Sequence, residues 1–267
     1  MHVKRDDLLH PLIMGNKWRK LKYNLIEAQK SGFETLLTFG GAYSNHIYAV
    51  AAAGEEFNFK TIGIIRGDEL NSDSNETLKF AKSKGMDLVF VNRTDYQNKD
   101  ILANKYGKNA YVLPEGGTNE LAIRGVVELM DEIDNQIEAN FVCVSIGTGG
   151  TFAGLLNSSR LDCKILGFPA LKGINDINQL IPSHYFRNKS NFEIISDYHF
   201  GGYGKYDSEL LNFMQTFENE HNIPLEQVYN AKVFYGVLDK IKRDYFPINS
   251  KIVVVHTGGL QGRIEFK

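Results

Sequence analysis

The sequence predicts an α/β protein in which parallel sheets are flanked by helices. Short runs rich in β-branched residues alternate with longer helical stretches along almost the whole chain. The last such run, Ile252-Val253-Val254-Val255, is apolar throughout, as a strand covered on both faces should be. Glycine-rich turns follow strands and lead into helices at Gly40-Gly41 and at Gly147-Thr148-Gly149-Gly150.

Taken in order, residues 35–39 read as a strand that ends in Gly40-Gly41, and an Ala-rich helix follows over about 45–54. Residues 60–66 are the next strand, 75–84 a helix with Leu78 and Ala81 on one side, and 87–92 a strand. A helix near 100–106 and a strand at 110–113, closed by Pro114, complete the first half. The second half repeats the rhythm: a long helix over 122–139, a strand at 140–146, a glycine turn, a helix from about 151 and a strand at 164–168. Helices at 210–221 and 232–244 and a strand at 252–256 finish the chain. Strands alternating with helices imply βαβ units joined by right-handed crossovers. Residues 172–192 are polar and broken by Gly173 and Pro182, and read as a long surface connection.

A chain of 267 residues fits one large domain or two modest ones. With 43% hydrophobic residues it can build a sizeable core. Its net charge is −2 and the charges are interspersed, so no basic face is expected and nucleic acid is not an expected partner. No apolar run approaches the roughly 18 residues that cross a membrane. The first residues lead straight into charged sequence without a secretory signal. Cys143 and Cys163 have no CxxC spacing, so neither a zinc site nor a disulfide framework is expected. Cys143 lies in an apolar run and reads as a buried thiol. A reducing cytoplasm is the expected location.

Four clusters carry candidate chemistry. Gly147-Thr148-Gly149-Gly150-Thr151 follows a strand and opens a helix, where free N–H groups and the helix dipole suit a phosphate. The competing reading is a plain structural turn. A dinucleotide fingerprint would need glycine at 152, which is Phe152, and a Walker A lysine is missing. Tyr43-Ser44-Asn45-His46 sits at a strand's carboxyl end, where ligands of open α/β sheets gather, although Ser44 or Asn45 also suits a simple helix N-cap. Gly15-Asn16-Lys17-Trp18-Arg19-Lys20-Leu21 packs three cations beside a tryptophan. It reads either as a solvated basic turn or as a site where a lysine of lowered pKa forms a Schiff base. His256-Thr257-Gly258-Gly259 ends the last strand, and a hydroxyl there either faces a ligand at the sheet edge or simply ends the strand.

In that order, these clusters resemble the fold type II pyridoxal-phosphate (PLP) enzymes, which are tryptophan synthase β-like. Within them the chain is similar to the branch holding D-cysteine desulfhydrase and 1-aminocyclopropane-1-carboxylate (ACC) deaminase. Lys4-Arg5-Asp6-Asp7, Pro114-Glu115-Gly116-Gly117, Gly202-Tyr203-Gly204 and Val228-Tyr229 with Lys232 extend the match over nearly the whole chain. Only three residues precede Lys4, and the chain is shorter than the usual members of this branch.

The resemblance implies a smaller α/β domain at 36–120 inserted into a larger one formed by 1–35 and 121–267, with the cofactor between them. It implies PLP carried by Lys17 as a Schiff base, with Lys20 and Gly147, Thr148, Gly149, Gly150 and Thr151 holding the phosphate. Asn45 would bond the ring 3-oxygen and Thr257 would face the pyridine nitrogen. Ser44, Asn45 and His46 would surround the carboxylate of a small amino-acid substrate, with Ser44 or Lys17 as the base, and Tyr203 and Tyr229 would line the substrate side. A homodimer is also implied. A neutral hydroxyl at the ring nitrogen makes a weaker electron sink than an acid, which suits elimination of a good leaving group. The ACC deaminases carry an acid after the second tyrosine and lack the last-strand threonine, whereas this chain has Asn230 and Thr257. D-cysteine desulfhydrases carry a threonine where Asn230 stands. The expected reaction is D-cysteine β-elimination to pyruvate, sulfide and ammonia. ACC deamination, racemisation and PLP binding without turnover are the alternatives.

Overall fold

The computed structural model describes residues 1–158, 162–185 and 191–266. The chain divides into two compact units, residues 9–122 and residues 1–8 with 123–267. In the smaller unit, β2 (Thr35–Gly40) lies between β3 (Lys60–Arg66) and β5 (Tyr111–Val112), and β4 (Asp87–Val91) lies beyond β3. All three pairings are parallel. Its helices are α1 (Asn16–Lys30), α2 (Asn45–Phe57), α3 (Glu76–Ser83) and α4 (Lys99–Tyr106).

Alternation along each strand explains why both faces of this sheet are covered. Leu36 and Ile65 point into a cluster with Leu21, Leu25, Ile47 and Val50, while Leu37, Phe39 and Ile64 pack on the other face with Tyr96 and Leu102. Burying one such aliphatic side chain contributes roughly 1.5–3 kcal/mol. The first cluster also explains a difference from the expected boundary at residue 36. Ile13 and the α1 residues Leu21, Leu25 and Ala28 bury their side chains against α2 and β2, so residues 9–35 belong to the smaller unit.

The larger unit has a five-stranded parallel sheet in the order β1 (His2–Arg5), β9 (Ile252–His256), β6 (Phe141–Ile146), β7 (Lys164–Pro169) and β8 (Phe192–Ile194). Val142, Val144 and Val255 face a core that includes Leu129, Met130 and Phe152, from α5 (Glu120–Asp134) and α6 (Gly150–Leu156). Cys143, Leu166 and Val254 face the opposite core, with Met214 of α7 (Ser208–His221) and Phe234 of α8 (Asn230–Lys242). Cys143 is thus the buried thiol expected, and burial pushes its pKa up.

Residues 172–192 are a correction. Ile177 and Ile181 are buried within the larger unit's core rather than lying on a surface connection, and Phe192 opens β8. Residues 186–190 of that stretch lie outside the described residues. The long helix ends at Asp134 rather than 139, and β5 is shorter than expected because Pro114 has no N–H with which to continue the ladder.

The strand orders decide where a ligand can be held. In the smaller sheet the chain leaves β2 toward β3 and returns on the other side as β5; in the larger it leaves β6 toward β7 and returns as β9. The crevice at the carboxyl ends of such a reversal is the binding position of open parallel sheets. Residues 41–46 and 113–117 follow β2 and β5, while residues 147–151 and Thr257 follow β6 and β9. The glycine turns at 40–41, 116–117, 147–150 and 258–259 therefore emerge at a reversal.

Candidate active site

The smaller unit assembles Lys17, Lys20, Ser44, Asn45 and His46. Gly15 precedes α1 at φ 58 and ψ −129, a conformation open to glycine and costly for other residues. This places Lys17 in the first helical turn and Lys20 one turn further on the same face. Burial brings the Lys17 pKa down to about 8, and the positive end of the helix dipole acts in the same direction. Lys20 is buried, and its Nζ donates to the Gly116 carbonyl at 2.9 Å and to Thr118 Oγ1 at 3.2 Å. These two bonds hold the turn after β5. Burial and the neighbouring Lys17 both push the Lys20 pKa well down.

Ser44 caps α2, its Oγ accepting from the N–H of His46 at 3.2 Å and of Ile47 at 3.3 Å. The sequence left capping and ligand binding as alternatives, and the geometry permits both, since the hydroxyl proton is not spent on the cap. Gly40 allows the tight approach: a Cβ there would lie 2.5 Å from Ile47 Cγ1. Asn45 is the first residue of α2. His46 is 1% exposed, and neither ring nitrogen has a hydrogen-bond partner. Burial, then Lys17 and Lys20, hold its pKa well below the usual imidazole range, so the ring is neutral. A buried imidazole with two orphaned nitrogens costs stability unless a ligand completes it.

The larger unit assembles the remaining residues. Gly149 takes φ 81 before α6 begins at Gly150, so the 147–151 segment turns sharply and presents the first N–H groups of a helix, which no helical carbonyl can satisfy. A Cβ on Gly147 would lie 3.0 Å from Tyr229 Cε1, so the tyrosine ring rests against this turn. Tyr203 and Tyr229 meet edge to face, with ring centroids 6.1 Å apart. Burial and the Tyr203 phenol raise the Tyr229 pKa well above its ordinary value, so it can donate a hydrogen bond but is no base near neutral pH. Thr257 is bound to Asn230: its N–H donates to Asn230 Oδ1 at 2.9 Å and its hydroxyl to the same oxygen at 3.2 Å.

A family model described as "Pyridoxal-phosphate dependent enzyme" matches residues 1–258. The chain belongs to the pyridoxal-phosphate dependent enzymes. It is similar to a solved structure described as an ACC deaminase homologue, with TM-score 0.82 and 28% identity over 97% of this chain and 84% of the other. It is 29% identical to a bifunctional D-cysteine desulfhydrase/1-aminocyclopropane-1-carboxylate deaminase of Arabidopsis thaliana, covering 97% of this chain and 72% of the relative. It is 27% identical to a D-cysteine desulfhydrase of Klebsiella pneumoniae, covering 96% and 86%. Pyridoxal phosphate is the cofactor of this PLP-dependent enzyme, and the fold is that of the type II members.

The residues present in this PLP enzyme fit the cofactor. An aldehyde needs a neutral amine, and at a pKa of about 8 roughly a tenth of Lys17 is neutral at pH 7. A phosphate needs backbone donors with no side chains in the way, which the 147–151 turn offers. A ring and a substrate carboxylate need unspent polar groups, and His46 has two.

Two contributors escaped the sequence reading. Glu226 is 2% exposed and accepts from the N–H groups of Val228, Tyr229 and Asn230 at the start of α8. Lys232, recognised only as part of a motif, holds the backbone of the turn bearing Tyr203. The signal for Glu226 was present as an acid one turn ahead of a helix.

Proposed function

We propose that this enzyme is a lyase that releases sulfide from D-cysteine, with Lys17 as the residue that carries the cofactor. The observation that carries this reading is the neutral Thr257–Asn230 pair at the end of β9, where the ACC-opening branch would carry an acid. The D-cysteine desulfhydrase named among the relatives supports the same substrate.

When bound, PLP supplies the sink for the electron pair left at Cα once its proton is removed. This chain's own residues do the rest. Lys17, with its lowered pKa, is an amine able to take that proton near neutral pH. Ser44 is the second candidate, because two N–H groups at a helix N-terminus stabilise negative charge on its Oγ. Ser44, Asn45 and His46 orient the substrate carboxylate, and neutral His46 offers a donor there without adding a competing charge. The 147–151 backbone would hold the phosphate, and Lys20 is the further phosphate ligand that the resemblance implies. Tyr203 and Tyr229 close the substrate side, and the Tyr229 phenol keeps its proton to donate. The net change is D-cysteine and water to pyruvate, ammonia and hydrogen sulfide.

Keto-acid release from D-cysteine, L-cysteine and ACC, assayed in parallel on the PLP-loaded protein, tests this. Release from D-cysteine alone supports the reading. Formation of 2-oxobutyrate from ACC replaces it with ACC deamination, and interconversion of enantiomers without keto acid replaces it with a racemase. The homodimer implied by the resemblance is part of the proposal and is tested by light scattering. A reducing cytoplasm is also part of it, consistent with two buried free thiols.

A further inference from the structure

Asn75 lies in the smaller unit and takes no part in the roles above. It caps α3, its Oδ1 accepting from the N–H of Leu78 at 2.9 Å. Its Nδ2 donates to the carbonyl oxygen of Ala42 at 3.1 Å, 33 positions away in the chain. The two partners fix which end of the amide is which. An N–H can only donate and a carbonyl can only accept, so a flipped amide would lose both bonds. A plain cap needs only the oxygen, and aspartate or serine would serve as well. The bond from the amide nitrogen is the part that capping does not explain.

Ala42 belongs to the turn that leads from β2 into α2. The N–H of Ser44 closes that turn by donating to the Gly41 carbonyl at 3.1 Å. Neither Ala42 nor Tyr43 has a positive φ, which is the pattern of a type I turn. The central peptide plane of the turn carries the Ala42 carbonyl, so the Asn75 bond holds that plane. Side chains of the turn supply little of this support. Ala42 offers one methyl group, Tyr43 is 69% exposed, and Ser44 Oγ is engaged with the N–H groups of His46 and Ile47. One turn further on, Tyr48 stacks on Phe80 of α3, with ring centroids 3.7 Å apart and planes within 10°. α3 therefore braces the entrance of α2 at two points, and the Asn75 bond is the directional one.

We propose that Asn75 is a positioning residue for the substrate carboxylate: by clamping the Ala42 carbonyl it fixes the turn from which Ser44, Asn45 and His46 emerge, and so sets the affinity of the site for an amino acid. This rests on the reading that those three residues surround the carboxylate. Donors that converge on one anion must be held to about half an ångström, and groups behind them do the holding. Ser44 follows the clamped peptide after a single intervening residue, so a tilt of that plane is passed on to the start of α2. Asn75 touches neither substrate nor cofactor in this role and acts through the turn.

Asn75→Asp and Asn75→Ser separate the clamp from the cap. Both new side chains can cap α3, but a carboxylate cannot donate to Ala42 and a serine is too short to reach it. Hydrogen exchange of the cofactor-free protein, read peptide by peptide, should quicken over residues 41–47 and stay at the wild-type rate over α3. The PLP-loaded protein is then titrated with D- and L-alanine, which have the carboxylate but no leaving group, and with ethylamine, which lacks the carboxylate, by following the cofactor's absorbance. The wild type should bind at least one alanine more tightly than ethylamine. In both variants that alanine should bind about fivefold more weakly, the worth of one hydrogen bond, with ethylamine unchanged. Exchange that quickens over α3 instead shows a residue that serves only its own helix, and overturns the proposal. Alanine affinity equal to the wild type in both variants also overturns it, and leaves the carboxylate reading standing. A wild type that binds neither alanine better than ethylamine overturns the carboxylate reading itself, and the proposal with it. Should Asn75→Asp not fold, Asn75→Ser alone decides.

Discussion

Lys232 donates its ammonium to the carbonyl oxygen of Gly202 at 2.8 Å, tying α8 to the turn that carries Tyr203. A second bond, to the His199 carbonyl at 2.9 Å, fixes the start of the same turn. The turn needs this anchor because Phe200, Gly201, Gly202 and Gly204 all adopt positive φ. Lys232→Met keeps the length of the side chain and removes both bonds, leaving each carbonyl only the backbone N–H it already accepts, from Gly202 at His199 and from Lys205 at Gly202. The expected loss is about 2–3 kcal/mol in urea unfolding. Because the turn bears a substrate-side tyrosine, KM should rise while cofactor loading is retained. An unchanged KM would show that the turn's position does not matter to substrate.

Lys17 sets two pH dependences. Its pKa in the folded chain is about 8, against 10.5 ordinarily. Between these values the unfolded chain holds a proton that the folded chain has released, so the cofactor-free protein should gain stability as pH rises from 8 to 10.5. Urea midpoints across that range check the sign, and Lys17→Ala should flatten the curve. The rate of cofactor capture should rise with a midpoint near pH 8, not near 10. Lys17→Ala should also lose the absorbance of covalently held PLP, and a variant that kept the wild-type spectrum would refute the assignment.

Gly117 stands against His46. Its φ is 70, and a Cβ there would lie 2.7 Å from His46 Cε1. Gly117→Ala therefore combines backbone strain with displacement of a buried ring, and should cost about 1–3 kcal/mol. If His46 contacts the substrate carboxylate, KM should rise more than the loss of stability alone implies. A variant with wild-type stability and kinetics would mean that the ring moves without consequence.

Much of the fold was legible because the patterns that specify it are local. The strand at Lys60–Arg66 and the strand at Ile252–His256 have the bounds read from the sequence, since each is an apolar run closed by polar residues or glycine. What was missed depends on tertiary context. β1 is a charged tetrapeptide, and it is a strand because its backbone pairs with β9, with Lys4 bound to Asp6 and Arg5 to Asp7. α1 was read as a basic cluster because its cations, not its Leu21 and Leu25 stripe, dominate the local sequence. The site followed the same rule. Glycine turns and the lysine cluster could be read directly, whereas the bond from Asn230 to Thr257 spans 27 positions and nothing local announces it.

Ser44 makes a prediction in which two roles separate. As the N-cap of α2 its Oγ accepts from two backbone N–H groups, and Ser44→Ala should cost about 1 kcal/mol of stability. Loss of a cap alone should leave turnover of the folded enzyme nearly unchanged. Loss of a base should lower kcat by about 10²–10⁴. Ser44→Asp distinguishes the two, because aspartate caps a helix as well as serine does but places a fixed charge where the substrate carboxylate is proposed to sit. The expected pattern is restored stability with kcat still depressed and KM raised. If Ser44→Ala keeps full kcat, proton removal falls to Lys17 alone, and the hydroxyl serves the helix rather than the reaction.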